Sequence, residues 1–415
     1  MEEWKKCRLG EICKIYGRIG FRGYTVEDLV EDADKGAISL SPTNLIGGVL
    51  DLSKPTYISW DKYYESPEIM IEEDDVVIVK TGSSVGRTAI IRNVLHPMTL
   101  NPQLVVLKDV VINKRYLGYL VKSRDFQGKL ASIVVGSAIP TLSQKNLANL
   151  VIRVPSKETQ ERIACILSAL DDKIELNNRI NHNLEEQAQA IYKSWFVDFE
   201  PFKNGKFIES ELGLIPEGWK IGKINDVINL LSGFPFKSSD FQENGNYQLI
   251  TIKGVQDGYL DVTSADMLSS LPSKMPQYCI LNIGDILISL TGNVGRICIV
   301  DRNNLLLNQR VAILSPKNIR DSFYVYTMFR SESMKNELIH IARGTAQLNL
   351  SPIETGEKLT VIPPDSILES FSKVGKDTFN QYISLKMENI RLMEMRDALL
   401  PKLMSGDLKL NEIDC

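Results

Sequence analysis

The sequence predicts an α+β fold made by tandem duplication, in which a strand-rich α/β domain followed by a long helix is written twice. Three observations carry this. Short motifs recur in the same order about 208 residues apart, strand-length apolar runs end in glycine-containing turns in both copies, and each copy closes on a stretch whose apolar residues alternate at spacings of three and four. At 415 residues the chain also exceeds the usual size of one domain.

The repeat is read element by element. WKKCRLGEI near Trp4 resembles WKIGKINDV at Trp219. TGSSVGR (Thr81–Arg87) matches TGNVGR (Thr291–Arg296), and Asn101 in TLNPQLVVL matches Asn308 in LLNQRVAIL. GSAIPTLS (Gly136–Ser143) matches GTAQLNLS (Gly344–Ser351), and LVIRVP, ending at Pro155, matches LTVIPP through Pro363. Order kept over some 200 residues with a drift of only a few positions is duplication. Asp74–Gly82 and Gly284–Gly292 read as strands ending in turns, and Arg115–Ile133 and Ser322–Ala342 as helices.

After Pro155, Ile163, Ile166, Leu170, Ile174, Asn177, Asn181, Leu184, Ala188, Ile191 and Trp195 form a coiled-coil seam. The same offset gives Phe371, Val374, Thr378, Tyr382, Leu385, Asn389, Leu392, Arg396, Leu399 and Leu403. About 40 helical residues span about 60 Å. Two such helices are expected to pair, antiparallel if a pseudo-two-fold axis relates the halves, with Asn181 and Asn389 as equivalent polar seam residues that fix register. The expected boundaries are a first domain at 1–155, a helix at 156–198, a linker at 199–215, a second domain at 216–363, and a helix with its tail at 364–406.

Hydrophobic content of 43% and charged content of 24% are those of an ordinary globular protein. No apolar stretch approaches membrane-spanning length and the first residues lack a signal-peptide core, so a cytoplasmic protein without membrane association is expected. The six cysteines form no CxxC pair and read as free thiols; the three histidines lie far apart, which disfavours a metal site. The net charge of −4 argues mildly against nucleic-acid binding. The charge is segregated, however. Val76–Lys108, Phe126–Lys157, Arg302–Arg320 and Leu338–Ile353 contain no acidic residue. Such segments are either buried strands or parts of a basic face suited to phosphate.

Signatures of chemistry are missing from the sequence. There is no phosphate-binding GxxxxGK[ST] loop, GxSxG elbow or HExxH helix, and Asn101-Pro102-Gln103-Leu104 lacks the second proline and the aromatic residue of an amino-methyltransferase tetrad. Asp198, Glu200 and Lys203 are the nearest approach to a nuclease cluster, and they lie in the linker without a repeat counterpart. No cofactor is expected.

DNA reading is the better expectation. Lys80, Thr81, Ser83, Ser84 and Arg87, and in the second copy Thr291, Asn293 and Arg296, offer hydroxyls, backbone N–H groups and guanidinium to phosphate oxygens. A tight turn explains the glycines equally well, but not the arginine. Base readers should differ between copies. Arg18 and Arg22 in KIYGRIGFRGY, and Lys237, Ser238 and Ser239 in SGFPFKSSDF, occupy corresponding places and differ. Ser137, Thr141, Lys253, Arg343, Gln347 and Asn349 complete the candidates. The aromatic run Trp195–Phe202 reads as a docking surface.

Taken together, IPEGWK (Ile215–Lys220), GFPFKSSDF (Gly233–Phe241), the two TG…GR loops, LVIRVPSKETQERIA (Leu150–Ala164), IYKSWFVDFEPF (Ile191–Phe202) and LLPKLMSGDLKL (Leu399–Leu410) resemble the specificity subunits of type I restriction–modification systems over essentially the whole chain. DSILESF (Asp365–Phe371) departs from the usual Gln-rich helix start. The resemblance implies two target-recognition domains, each reading half of a bipartite asymmetric site in double-stranded DNA, and a helical spacer between them. It also implies docking of two adenine methyltransferase subunits, which bring S-adenosylmethionine chemistry, and of two ATP-driven restriction and translocation subunits, with no catalysis by the chain itself. Two other readings remain open here: the specificity subunit of a bifunctional type II enzyme, and a coiled-coil scaffold that binds only proteins.

Overall fold

A computed structural model describes the chain except for residues 1–3, 19, 47–48, 137, 345–346 and 409–415. It divides into two compact units, residues 1–173 with 392–415, and residues 174–391. The division cuts both long helices, Lys157–Phe196 and Asp365–Ser405. Each unit therefore holds one strand-rich domain and one segment of each helix.

In the first unit a four-stranded antiparallel sheet runs in the order Lys14–Tyr16, Leu104–Lys108, Val76–Val79, Thr88–Ile90. The second unit repeats it with Ile228–Ser232, Val311–Pro316, Ile286–Ser289, Ile297–Ile299. The central strands are apolar along their length because both faces are covered, so Val76–Val79 and Ile286–Ser289 are buried throughout.

A further sheet in each unit contains one parallel pair, Met98–Leu100 with Gly36–Leu40 and Leu305–Leu307 with Tyr247–Ile250. The flanks differ. Tyr57–Ser59 and then Leu29–Val30 extend one edge in the first unit, whereas Met267–Leu268 and Ile280–Leu281 lie on opposite edges in the second. Each domain is closed at its base by an antiparallel pairing of its first and last strands, Lys5–Arg8 with Val151–Val154 and Lys220–Lys223 with Leu359–Ile362.

The single helices expected at Arg115–Ile133 and Ser322–Ala342 are each broken in two. Lys114–Lys122 is followed by Arg124–Ser132, and Ser322–Arg330 by Glu332–Ile341. Ser123 and Ser331 cause the breaks. Both adopt extended backbone, and their hydroxyls accept from Phe126 N and Met334 N at 3.3 Å, which caps the second helix. The expected linker contains a hairpin, Phe207–Ser210 with Gly213–Pro216.

In the second unit the two long helices run antiparallel: Asn177 meets Asn389, and further along Phe196 meets Phe371. In the first unit Asp171 meets Arg396. Asn181 and Asn389 are both buried, as expected of polar seam residues. Asn389 is bonded to Asn177 at 2.9 Å and to Asn178 at 2.8 Å, while the carbonyl oxygen of Asn181 is buried without a partner. The seam departs at Val374, which is 51% exposed. Gly375 takes the buried position, so close under Phe323 that a Cβ there would lie 1.9 Å from the ring. There the helix packs on its own domain rather than only on its partner helix, which moves the buried stripe by one residue.

The aromatic run Trp195–Phe202 is occupied within the second unit. Trp195 and Phe196 pack on Phe371 with ring centroids 5.5 and 4.7 Å apart, and Phe199 and Phe202 pack on Trp219. It forms part of the fold instead of an open surface. Among the described residues no helix is long and apolar enough to cross a membrane.

Candidate nucleic-acid interface

Thr81–Arg87 is the turn between strands Val76–Val79 and Thr88–Ile90. Gly82 and Gly86 have φ of +105° and +88°, where a side chain is strained. Gly86 N donates to Val79 O at 2.9 Å and closes the turn. Thr291–Arg296 does the same with one residue fewer, with Gly292 and Gly295 at +76° and +75°. The buried hydroxyl of Ser289 compensates for the deletion, donating to Asn293 O at 2.5 Å and accepting from Arg296 N at 3.0 Å.

In both units this turn is bonded to the loop of the GSAIPTLS or GTAQLNLS motif by the same backbone pattern. Leu142 N donates to Lys80 O at 2.7 Å and Gly82 N to Pro140 O at 3.0 Å. In the second unit Leu350 N donates to Leu290 O at 2.7 Å and Gly292 N to Leu348 O at 2.9 Å. Within the loops, Val135 is bridged to Thr141 and Arg343 to Asn349. Two motifs far apart in sequence thus form one polar surface, with Thr81 beside Thr141 and Thr291 beside Asn349, where Thr291 Oγ1 donates to Asn349 Oδ1 at 3.1 Å.

A third piece was missed by the sequence analysis. Lys80 N donates to Gln103 O at 2.8 Å and Leu290 N to Arg310 O at 3.0 Å, which sets exposed Gln103 and Arg310 beside the glycine turns. Asn101 and Asn308 hold them there, their side-chain oxygens accepting from Gln103 N and Arg310 N at 2.9 and 3.3 Å. The repeated asparagine is a turn residue, and that repetition was the available signal. In the second unit Thr291, Gln309, Arg310 and Asn349 line an open cleft of about 550 Å³.

The remaining candidates are dispersed or engaged. Ser83, Arg87, Asn293, Gln347 and Asn349 are exposed, and Ser84, Thr81, Thr141, Thr291 and Arg296 are half-buried. Lys80 is half-buried, and burial lowers its pKa. The Arg296 guanidinium donates to Gln256. Lys237, Ser238, Ser239 and Lys253 are exposed, Ser239 donating to Asp240 at 3.1 Å. Arg343 is paired with Glu354 at 2.7 Å and Arg22 with Glu68 at 3.4 Å. Ser137 lies outside the described residues.

Arg18 is corrected. It is 3% exposed, its Nε donates to Leu100 O at 2.9 Å, its terminal nitrogens donate to Arg22 O and Thr99 Oγ1 at 3.2 Å, and Tyr24 lies over it at 5.5 Å. An arginine satisfied in this way organises the loop and is not presented to a base edge. Asp198 and Glu200 are paired at the surface with Lys193 and Lys203.

The family model for the type I restriction modification DNA specificity domain matches this chain twice, over residues 1–186 and 216–367. The chain is 30% identical to the type I restriction enzyme MjaIX specificity subunit of Methanocaldococcus jannaschii, over 85% of this chain and 82% of that one. It is 24% identical to the HindI specificity subunit of Haemophilus influenzae, over 98% and 100%. The type I restriction–modification S subunit from M. genitalium has a similar fold, with a TM-score of 0.56 at 16% identity over 97% of this chain and 96% of that one.

Proposed function

The chain belongs to the type I restriction–modification DNA specificity family, and from that premise we propose that each of its two units reads one half of a bipartite, asymmetric target in double-stranded DNA. The family is one of non-catalytic specificity subunits. The observation that carries the reading is the pair of glycine turns, each bonded to a distant polar loop by the same backbone pattern while the surrounding side chains differ. The shared part suits phosphate: backbone N–H groups, the hydroxyls of Thr81, Ser83, Ser84 and Thr291, and the guanidinium groups of Arg87 and Arg296. The divergent part suits bases. Gln103 in the first copy corresponds to Arg310 in the second, Thr141 corresponds to Asn349, and Lys237, Ser238, Ser239, Lys253, Arg343 and Gln347 belong to the second half alone. Arg22 stays in the first-half set; Arg18 leaves it.

The long helices set the spacing between half-sites and seat two methyltransferase subunits, with two restriction and translocation subunits joining the full complex in the cytoplasm. Methylation mapping tests this. Replacing residues 1–150 by the corresponding domain of another such subunit changes one half-site and leaves the other. Matched four-residue insertions in both helices, about 6 Å each, lengthen the unread spacer and leave both half-sites as they were. Altered half-sites with an unchanged spacer would overturn the spacer role, and a swap that alters both halves or neither would overturn the division of labour.

A further inference from the structure

Arg87 leaves its turn on the side of a cleft of about 500 Å³ inside the first unit, which Lys122, Gln127 and Tyr119 also line, with Arg396 and Asp397 on the second long helix. The charges here are unequally satisfied. Arg396 is held by two acids: NH1 donates to Asp171 at 2.8 Å, and Nε and NH2 meet Asp397 at 2.9 and 2.8 Å. Asp171 also accepts from Tyr119 at 2.7 Å. Both acids near the cleft are thereby committed. Among the described residues, neither the Arg87 nor the Lys122 side chain makes a hydrogen bond or a direct ion pair.

Lys122 is half-buried, at the end of helix Lys114–Lys122, and its burial lowers its pKa. Asp171 and Asp397 act on it from nearby, but both are bonded to Arg396, so the half-buried ammonium has no ion-pair partner of its own, which costs free energy. An incoming anion removes that cost, so the position is poised for one.

In the second unit the counterpart of Lys122 is paired with acids, and the counterpart of Arg87 makes one hydrogen bond to a neutral amide. Arg296 donates to Gln256. Arg330, the counterpart of Lys122 at the offset of the repeat, donates to Glu185 at 3.0 Å and to Asp257. Lys335 is bonded to Asp257 at 2.8 Å.

We propose that Arg87, Lys122 and Gln127 form a phosphate-binding cleft for the DNA backbone, continuous with the Thr81–Arg87 turn, that the first unit has and the second lacks. It rests on the DNA-reading function proposed above and adds two new residues to it. The occupant is a phosphodiester group rather than a protein carboxylate, because exposed Arg87, the last residue of the Thr81–Arg87 turn, lines the cleft, and a backbone held by the turn would continue there.

The test uses the complete chain assembled with its methyltransferase subunits, a labelled duplex containing the target, a scrambled duplex, and a titration with potassium chloride. Each phosphate contact adds about 0.9 to the slope of log affinity against log salt. Arg87→Gln and Lys122→Gln should each reduce the slope by about that amount, the double variant by about twice it, and equally on both duplexes. Lys122→Arg should restore it, and Lys335→Gln should leave it unchanged.

Unchanged slopes in the double variant, with wild-type binding intact, overturn the cleft and leave the DNA-reading function standing. A wild-type complex with no salt-dependent duplex binding overturns both. Loss of methyltransferase co-purification in the Lys122→Gln variant would assign the cleft to a partner's carboxylate and also overturn the proposal. Lys122→Met keeps the length of the side chain without its charge and reads the same slope if Lys122→Gln fails to fold.

Discussion

The two units solve one packing problem with different chemistry. Both press a helix pair, Lys114–Lys122 with Arg124–Ser132 or Ser322–Arg330 with Glu332–Ile341, against a stretch of long helix. In the first unit the long helix contributes Leu167, fully buried, at the point where the second unit has Gly375 beneath Phe323. One surface supplies the bulk and the other receives it. The polar ties differ as well. Asp171 joins Tyr119 and Arg396 in the first unit, whereas Glu185 accepts from Tyr326 at 2.5 Å and from Arg330 at 3.0 Å in the second, with Lys386 and Tyr382 bonded to Gly258 O. A duplicated fold thus tolerates exchange of its contacts provided that volume and charge balance inside each unit. The first unit commits its acids to Arg396 and leaves Lys122 without a direct ion pair, whereas the second pairs Arg330 with Glu185 and Asp257.

Leu167→Ala should give the largest effect, a loss of about 2–5 kcal/mol because it opens a cavity. Gly375→Ala should cost about 1–3 kcal/mol for the opposite reason, overpacking against Phe323. Urea unfolding of the two variants checks both, and equal, small losses would show that the interfaces are alike after all. Glu185→Ala leaves a half-buried Arg330 with Asp257 alone and should cost about 3 kcal/mol. Asp171→Ala should cost less, about 1–3 kcal/mol, because Arg396 keeps Asp397.

Asp171 also carries a pH signature. Burial pushes its pKa up, but the hydrogen bonds from Arg396 and Tyr119 outweigh burial and hold it below the ordinary value. Its contribution is therefore complete above about pH 4, the unfolded value, and is lost as pH falls through the lower folded value. Acid unfolding of Asp171→Asn should lose that component. The smallest expected effects are shared by the two units: Ser123→Ala and Ser331→Ala should each cost about 1 kcal/mol through loss of a helix cap, measured by thermal unfolding. A clear inequality between them would mean that the two helix breaks are not equivalent.

Much of the interface was legible because it is local. Thr81–Arg87 and Thr291–Arg296 declare a turn by their glycines, and their repetition marks them as paired. The asparagine at 101 and 308 was visible as a repeated residue and as a failed methyltransferase tetrad but not as a turn residue, since a side chain that caps its own turn looks in sequence like any other repeated polar residue. Arg18 was read as a base contact because an arginine among aromatics suits that role. Only the position of Thr99 and Leu100, about 80 residues away in the chain, buries it. Gln103, Arg310 and Lys122 carried no motif and became candidates only through what surrounds them.

By itself the sequence determined the duplication, the strand-rich domains, the two long helices and the glycine turns, because periodicity, turn chemistry and repeated order are properties of neighbouring residues. Tertiary structure alone decided which cations are free. Whether Arg18, Arg87, Lys122, Arg296 or Arg330 can meet a phosphate depends on whether an acid, a carbonyl or an amide from a distant segment has already reached it, and charge satisfaction is a property of positions in space.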